Sequence, residues 1–331
     1  MSFTVRLFAT ACVLLGLCAT SFARPDIPVQ YVIISFDGAH DIAQWKRSRA
    51  LAAQTDATFT YFLSCVFLLT RQTRSNYHPP HKATGASNVG FAQSREEVAE
   101  RLRQIWTARA EGHEIASHGC GHFDGKAWTK ADWEAEFGQF AQILGNAYTI
   151  NGLAGEPAGW KAFAQSGIHG FRAPYLSTGK ALYDALAEKG FSYDVSAVSR
   201  GPQRPRMRNG VVRFALPLIP EGPAARPVIA MDYNLFARHS GAVEKPDTDA
   251  VFENRAYDAF RAAFDRQYDG RRIPLELGFH FTLMNGGAYW RALERFAEEV
   301  CVRPEVACVS YRDYLDQTAP GTQSSVVRAK G

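Results

Sequence analysis

Tyr31-Val-Ile-Ile-Ser-Phe36 is an almost wholly apolar run, and Asp37-Gly38-Ala39-His40-Asp41 follows it directly. A short run of this kind predicts a strand that is buried on both faces, as in a parallel sheet covered by helices. Folds of that class carry their chemistry at the carboxyl ends of the strands. The stretch therefore predicts the fold class and also the edge of the sheet at which functional residues should lie.

The same pattern recurs along the chain, where short apolar runs alternate with segments whose apolar residues have helical spacing. One such segment begins at Ser94, which is placed to form a capping box with Glu97, and its apolar residues continue to Trp106. Seven or more strand–helix units favour an α/β barrel. The composition shows no break that requires a second domain.

The composition excludes several classes of protein. Of 331 residues, 46% are hydrophobic and 21% are charged, which is close to an average globular protein. These values exclude a disordered chain, a coiled coil and a collagen-like fibre. The formal net charge of +4 is too small to favour a nucleic-acid partner.

The first residues have the pattern of a secretory signal peptide. Arg6 precedes the apolar run Leu7–Cys18, and small residues lead to a predicted cleavage after Ala23. Cys18 leaves processing as a lipoprotein open, although Leu17 is bulkier than that processing usually accepts. No second long apolar stretch follows, so we expect a secreted or periplasmic protein without stable membrane insertion. The predicted organisation is a signal peptide over 1–23, one domain over 24–317 and a polar tail over 318–331.

Four cysteines remain after residue 23, namely Cys65, Cys120, Cys301 and Cys308. An even number in an exported protein suggests disulfides, and three pairings are possible. The short spacing of Cys301 and Cys308 makes a local bridge plausible, which would leave Cys65 with Cys120. The alternative is that each is a buried free thiol.

Polar side chains follow several of the predicted strands, and two of them suggest a metal site. His118 and His122 are four residues apart, and Gly119 and Gly121 would let the loop between them curl around one cation. Neutral imidazole suits Zn²⁺ or a similar divalent metal. The alternative is a pair of loop histidines whose nitrogens are satisfied by backbone carbonyls.

The other strand ends supply acid–base candidates. Asp37 could take a proton from a water or could cap the next helix, and Arg172 could hold Asp37 by an ion pair. Asp194 could orient Arg172 or His280, or could simply cap the following segment. His280 could be the acid that protonates a leaving amine, or a satisfied core histidine.

Taken together, these motifs resemble those of the polysaccharide deacetylases with the NodB-homology domain, carbohydrate esterase family 4. The resemblance covers roughly residues 29–315 and has five motifs in the family's order. They are Ser35-Phe-Asp-Gly38, His113-Glu-Ile-Ala-Ser-His-Gly-Cys-Gly-His122, Gly170-Phe-Arg-Ala-Pro-Tyr175, Tyr193-Asp194 and Leu277-Gly-Phe-His280.

The resemblance implies a distorted (β/α)₇ barrel in a single domain and the hydrolysis of acetyl groups on a glycan. It implies that Asp37 is the general base and His280 the general acid, with Asp194 in the fourth motif. His118 and His122 would hold a divalent metal, with Zn²⁺ the first choice. Arg172 would position Asp37, and the backbone N–H of Tyr175 would help to bind the oxyanion.

The sequence departs from the family pattern at the first motif, where Gly38 stands in place of the aspartate that is normally the third metal ligand. Asp41 is the nearest substitute. Otherwise Asp37 ligates the metal directly, or water completes the coordination; His40 is a further candidate. The fourth motif also has Val198 where the family usually has Trp.

Three functions remain open from the sequence. The first is a metal-dependent deacetylase that acts on an N-acetylglucosamine-containing polysaccharide, either a chitin-like glycan or peptidoglycan. The second is an esterase that removes O-acetyl groups from a polysaccharide. The third is a glycan-binding protein with a degraded metal site, which Gly38 keeps in consideration. Neither the glycan nor the oligomeric state follows from the sequence.

Overall fold

The computed structural model of the protein describes residues 28–319, in which ten β-strands and nine α-helices follow one another. The strands are β1 (Gln30–Gly38), β2 (Thr60–Leu63), β3 (Glu114–Ser117), β4 (Gly170–Phe171), β5 (Tyr193–Ser199), β6 (Arg206–Arg208), β7 (Val211–Glu221), β8 (Arg226–Ile229), β9 (Leu275–His280) and β10 (Val306–Val309). The helices are α1 (Ile42–Thr55), α2 (Arg95–Ala110), α3 (Lys130–Ile150), α4 (Trp160–Ser166), α5 (Lys180–Glu188), α6 (Asp232–Ser240), α7 (Val251–Tyr268), α8 (Ala288–Val300) and α9 (Tyr311–Thr318).

The strands form one curled sheet in the order β10-β1-β2-β3-β4-β5-β7-β6, and β9 pairs with β1. Strand β1 is parallel to β2, β9 and β10, and it is paired along both edges. A parallel bridge between Met231 and Gly278 links the chain after β8 to β9. The predicted α/β barrel is therefore confirmed.

Two strands depart from the parallel pattern. Both β6 and β8 pair antiparallel with β7. They come from the Pro-, Arg- and Gly-rich stretches over 200–227, where no helix is long enough to make a parallel crossover. This departure is one way in which the barrel is distorted.

Side chains alternate along β1 and separate two cores. Ile34 and Phe36 face the outer helices, where Phe36 stacks on Tyr61 and Trp290. Ile33 faces the inside of the barrel and packs in a smaller cluster with residues of β5, β7 and α9. The side chains of Ser35 and Asp37 lie on the same face of β1 as that of Ile33, so they also face the inside of the barrel. Asp37 lies there at the carboxyl end of the strand.

Both disulfides that the cysteine spacing made plausible are present, Cys65–Cys120 and Cys301–Cys308. The predicted signal peptide and most of the predicted tail lie outside the described residues, and α9 reaches Thr318. Within residues 28–319, no helix is both long and apolar enough to cross a membrane.

Candidate active site

A cavity of about 280 Å³ opens at the carboxyl ends of β1, β3 and β9. It collects four of the eight site residues that the sequence predicted, from parts of the chain more than 200 positions apart. The residues that line it are Asp37, Gly38, His40, Phe67, Val89, His118, His122, His280 and Thr282.

Asp37 is the last residue but one of β1 and is held by a buried arginine. Arg172, which follows β4, donates from Nη1 to Asp37 Oδ1 at 2.7 Å, and both side chains are buried. Burial alone would raise the pKa of Asp37, but the charge and hydrogen bond of Arg172, with a contribution from His280, outweigh burial and lower it below its usual value. Asp37 is therefore ionised at neutral pH, as a general base must be.

His118 and His122 lie on the loop after β3, with ring centroids 5.0 Å apart. Nδ1 of His118 donates to the backbone carbonyl of Arg172 at 2.8 Å, so its Nε2 carries the free lone pair. Burial lowers the pKa of His118 to about 3 and also lowers the pKa of His122. Both imidazoles are thus neutral, which is the form that binds a metal.

The loop that carries the two histidines is fixed from outside the cavity. The Cys65–Cys120 disulfide holds its middle, and the N–H of Cys65 donates to Gly119. The buried Glu136 carboxylate accepts from the N–H of Cys120 at 2.7 Å, and Tyr77 donates to the same carboxylate. The orientation of His118 and His122 therefore depends on a disulfide, of which only Cys120 belongs to a motif, and on Glu136, which lies outside the motifs.

His280 ends β9 and pairs with Asp232, the first residue of α6. Nδ1 of His280 donates to Asp232 Oδ1 at 2.6 Å, and the backbone N–H of His280 donates to Oδ2 at 2.7 Å. Burial would lower the pKa of His280, but the Asp232 charge and hydrogen bond, with a contribution from Asp37, raise it. A protonated His280 can donate a proton from Nε2 into the cavity.

Tyr175 has an unusual backbone. It follows Pro174 in a tight turn with a φ of 58°, and its side chain is 60% exposed. The hydrogen bonds of this turn are donated by Leu176 and Ser177, not by Tyr175. The Tyr175 ring lies 5.0 Å from that of His122, beside the cavity.

His118 and His122 offer a cation two imidazoles, and the other candidate ligands that line the cavity are His40 and Asp37, which is paired with Arg172. Asp41, the predicted substitute, caps α1 by accepting from the N–H of Gln44 at 2.9 Å and does not line the cavity. Gly38 contributes no side chain. Among residues 28–319, no three His, Cys, Asp or Glu side chains are close enough to hold a metal together. The donor types fit Zn²⁺, and the number of protein ligands falls below that of an ordinary zinc site.

Asp194 does not make the contacts that the sequence suggested. Its carboxylate is buried in β5 and accepts from Ser196 at 2.5 Å, and Ser196 accepts the N–H of Ala173 at 2.8 Å. It hydrogen-bonds neither Arg172 nor His280. Asp194 therefore supports the backbone next to Arg172, while Asp232 fills the role beside His280.

Asp232 is the functional residue that sequence reasoning missed. The apolar run Val228–Met231 ends directly before it. A polar residue at the carboxyl end of a predicted strand is a candidate site residue, so the sequence offers a reason to consider Asp232. Only the fold shows that this strand end is next to β9, through the bridge between Met231 and Gly278.

Comparison with solved structures agrees with the fold. A structure described as a polysaccharide deacetylase from Mycobacterium smegmatis matches with a TM-score of 0.54 and 16% identity, over 89% of this chain and 92% of that one. One from Pseudomonas aeruginosa PAO1, also described as a polysaccharide deacetylase, matches with a TM-score of 0.52 and 16% identity, over 88% and 92%. The Puue allantoinase matches with a TM-score of 0.50 and 17% identity, over 88% and 91%.

At these identities the likenesses establish a shared fold, and the fold that the motif resemblance implied is confirmed. No protein-family profile matches the chain. No protein of curated function matches it either.

Proposed function

We propose that the protein is an exported hydrolase that removes N-acetyl groups from a polysaccharide containing N-acetylglucosamine. The observation that carries the proposal is that one cavity contains a carboxylate paired with an arginine and an imidazole paired with a carboxylate. Arg172 lowers the pKa of Asp37, which favours the ionised form, and Asp232 raises the pKa of His280, which favours the protonated form. Amide hydrolysis needs a base for the attacking water and an acid for the leaving nitrogen.

Each residue has a role in this reaction. Asp37 takes a proton from the water that attacks the acetyl carbonyl carbon, and Arg172 holds Asp37 in place. The backbone N–H of Tyr175 stabilises the negative charge that develops on the carbonyl oxygen. His280 gives its Nε2 proton to the nitrogen as the carbon–nitrogen bond breaks, so a free amine and acetic acid leave, and the acid then gives its proton to solvent and becomes acetate. Asp37 has gained one proton and His280 has lost one, and transfer of that proton from Asp37 to His280 through solvent returns both groups to their starting states.

We further propose that His118 and His122 hold a divalent cation, with Zn²⁺ the first choice. Lewis-acid polarisation of the acetyl carbonyl is the chemistry that such a cation would supply. The free Nε2 of His118 and the lowered pKa of both rings support this assignment. With two protein ligands, we expect weaker binding than at a three-ligand site.

Export is part of the proposal. Two disulfides suit an oxidising compartment, and the apolar run near the start of the sequence has the signal-peptide pattern. A fusion of residues 1–30 to a periplasmic reporter tests it. We expect export and cleavage near Ala23, and retention of the uncleaved reporter inside the cell would contradict export.

One experiment separates the alternatives. Purified protein is incubated with N-acetylated oligosaccharides, O-acetylated xylan and allantoin, each with chelator and with added Zn²⁺. Acetate with an equal amount of new amine supports N-deacetylation. Acetate without amine identifies an O-acetyl esterase, and consumption of allantoin alone identifies a small-molecule amidohydrolase. Glycan binding without any product identifies a binding protein.

A further inference from the structure

The guanidinium of Arg172 is held at more points than its ion pair with Asp37. It is fully buried, and its Nη2 donates to Ser35 at 3.0 Å and to the hydroxyl of Tyr311 at 3.2 Å. Its carbon Cζ lies 4.4 Å from the centroid of the Phe62 ring. Because a guanidinium is planar and rigid, the partners of Nη2 also set the direction in which Nη1 points.

The hydroxyl of Tyr311 has only one possible orientation in this network. Arg172 can only donate, so Tyr311 must accept from Arg172 and must send its own proton elsewhere. That proton goes to Oε2 of Glu276, at 3.0 Å. By accepting this proton, Glu276 orients the Tyr311 hydroxyl so that a lone pair of its oxygen faces Arg172.

Glu276 lies in β9 and is 1% exposed. Burial raises its pKa to about 8, although Tyr311, Arg172 and the N–H of Ala215 oppose this effect. The raised pKa favours the neutral form of Glu276 near pH 7, so Asp37, which forms the ion pair at 2.7 Å, is the main counter-charge of Arg172. A neutral Glu276 accepts from Tyr311 without drawing the guanidinium away from Asp37.

We infer that Tyr311 and Glu276 are a positioning pair, which holds the Arg172 guanidinium and, through it, the carboxylate of Asp37 in the orientation used for catalysis. The inference rests on the proposed hydrolase function. It adds two residues that do not line the cavity and belong to none of the five motifs, one at the start of α9 and one within β9. A misplacement of reacting groups by about 1 Å can cost up to about 10²-fold in rate.

The test compares three variants of the full chain with the wild type on an N-acetylated oligosaccharide. Tyr311→Phe removes the hydroxyl, and Glu276→Leu removes its acceptor. We expect each to lower kcat about tenfold and to leave KM within about twofold, because substrate contacts are unchanged. Glu276→Gln restores an acceptor for the Tyr311 proton and should recover most of the kcat that Glu276→Leu loses.

A neighbouring residue provides the matched control. Tyr314 is on the same helix and is also buried, but it makes no hydrogen bond to Arg172. Tyr314→Phe should keep the wild-type kcat. Equal kcat in the wild type and in Tyr311→Phe would overturn the inference, as would the same loss in Tyr314→Phe.

A second readout does not depend on activity. The side-chain Nη signals of Arg172, assigned by loss in Arg172→Lys, report how freely the guanidinium rotates in NMR spectra. We expect slow rotation in the wild type and faster rotation in Tyr311→Phe. Unchanged rotation would overturn the positioning role, whereas the absence of acetate release from the wild type would instead refute the proposed function.

Discussion

The carboxylate of Asp232 holds His280 at two points, with Oδ1 2.6 Å from the ring nitrogen Nδ1 and Oδ2 2.7 Å from the backbone nitrogen. Asp232 is fully buried, so the contact is shielded from water and from salt. One side chain thereby sets the position of the proposed acid and also its protonation.

Asp232→Asn should move the alkaline limb of the pH–activity profile to lower pH. Asp232 raises the pKa of His280, and activity is lost as the pH rises through that pKa because the acid loses its proton. Removing the negative charge lowers this pKa, so we expect a shift of roughly one pH unit. The profile of kcat/KM measures it. Asp194→Asn is the control, and an equal shift in both variants would contradict the assignment of Asp232.

Arg172→Met should destabilise the protein by about 3–5 kcal/mol at pH 7, because it leaves the Asp37 carboxylate buried without its counter-charge. In the wild type the pKa of Asp37 is depressed, so the pair contributes stability above the ordinary value of 3.8 and loses it as the pH falls through the folded value. In the variant, Asp37 can become neutral as the pH falls. The difference in unfolding free energy between the wild type and Arg172→Met should therefore become smaller at low pH.

Urea unfolding at several pH values measures the difference in unfolding free energy between the wild type and Arg172→Met. The matched control is Lys180→Met, which breaks the exposed pair with Asp184 and should cost about 0.5 kcal/mol or less. A gap that is constant with pH would show that the loss comes from packing rather than from the charge of Asp37.

Gly38→Asp should strengthen Zn²⁺ binding at least about tenfold by supplying a third protein ligand. A Cβ at this position would have no neighbour nearer than 3.9 Å, so the first side-chain atom fits without a clash. The backbone has a φ of +80°, which should cost about 1 kcal/mol of stability. Calorimetric titration with Zn²⁺ measures the affinity, with His122→Ala as the variant that should lose it.

Asp41→Ala tests the other possible ligand. Because Asp41 caps α1, we expect a loss of about 1 kcal/mol in stability and unchanged Zn²⁺ affinity. Weaker Zn²⁺ binding in Asp41→Ala would restore Asp41 as a ligand.

Replacing Cys65 and Cys120 by Ala should weaken Zn²⁺ binding as well as stability, because this disulfide lies in the loop between His118 and His122. Loss of this bridge, which spans 55 residues, should cost roughly 4 kcal/mol, and loss of Cys301–Cys308, which spans 7, roughly 2 kcal/mol. The second double variant should keep the wild-type affinity. Equal Zn²⁺ affinity in both double variants would show that the first bridge does not hold the loop.

The sequence predicted the barrel and four of the residues that line the cavity because one physical rule covers both. Asp37, His118 and His280 each follow a buried strand, and parallel strands bring their carboxyl ends to one edge. The motif spacing then identified Arg172, which the structure places on Asp37.

What the sequence could not predict depends on contacts between distant segments. Asp194 and Asp232 both lie at or near strand ends, and only the pairing around β9 shows which of them reaches His280. Asp41 was close enough in sequence to be a ligand, but its carboxylate instead accepts a hydrogen bond from a backbone N–H at the N-terminus of α1. Tyr311 approaches Arg172 from 139 positions away, and no local pattern marks such a contact.

The most direct test of the central claim is acetate release from N-acetylglucosamine oligosaccharides in the presence of Zn²⁺, with the new amine counted in parallel. We expect equal amounts of acetate and amine from the wild type. We expect a loss of at least about 10²-fold in kcat for Asp37→Asn and His280→Ala, with the fold retained. Wild-type protein that releases no acetate from any acetylated glycan, or either variant with near-full turnover, would contradict it.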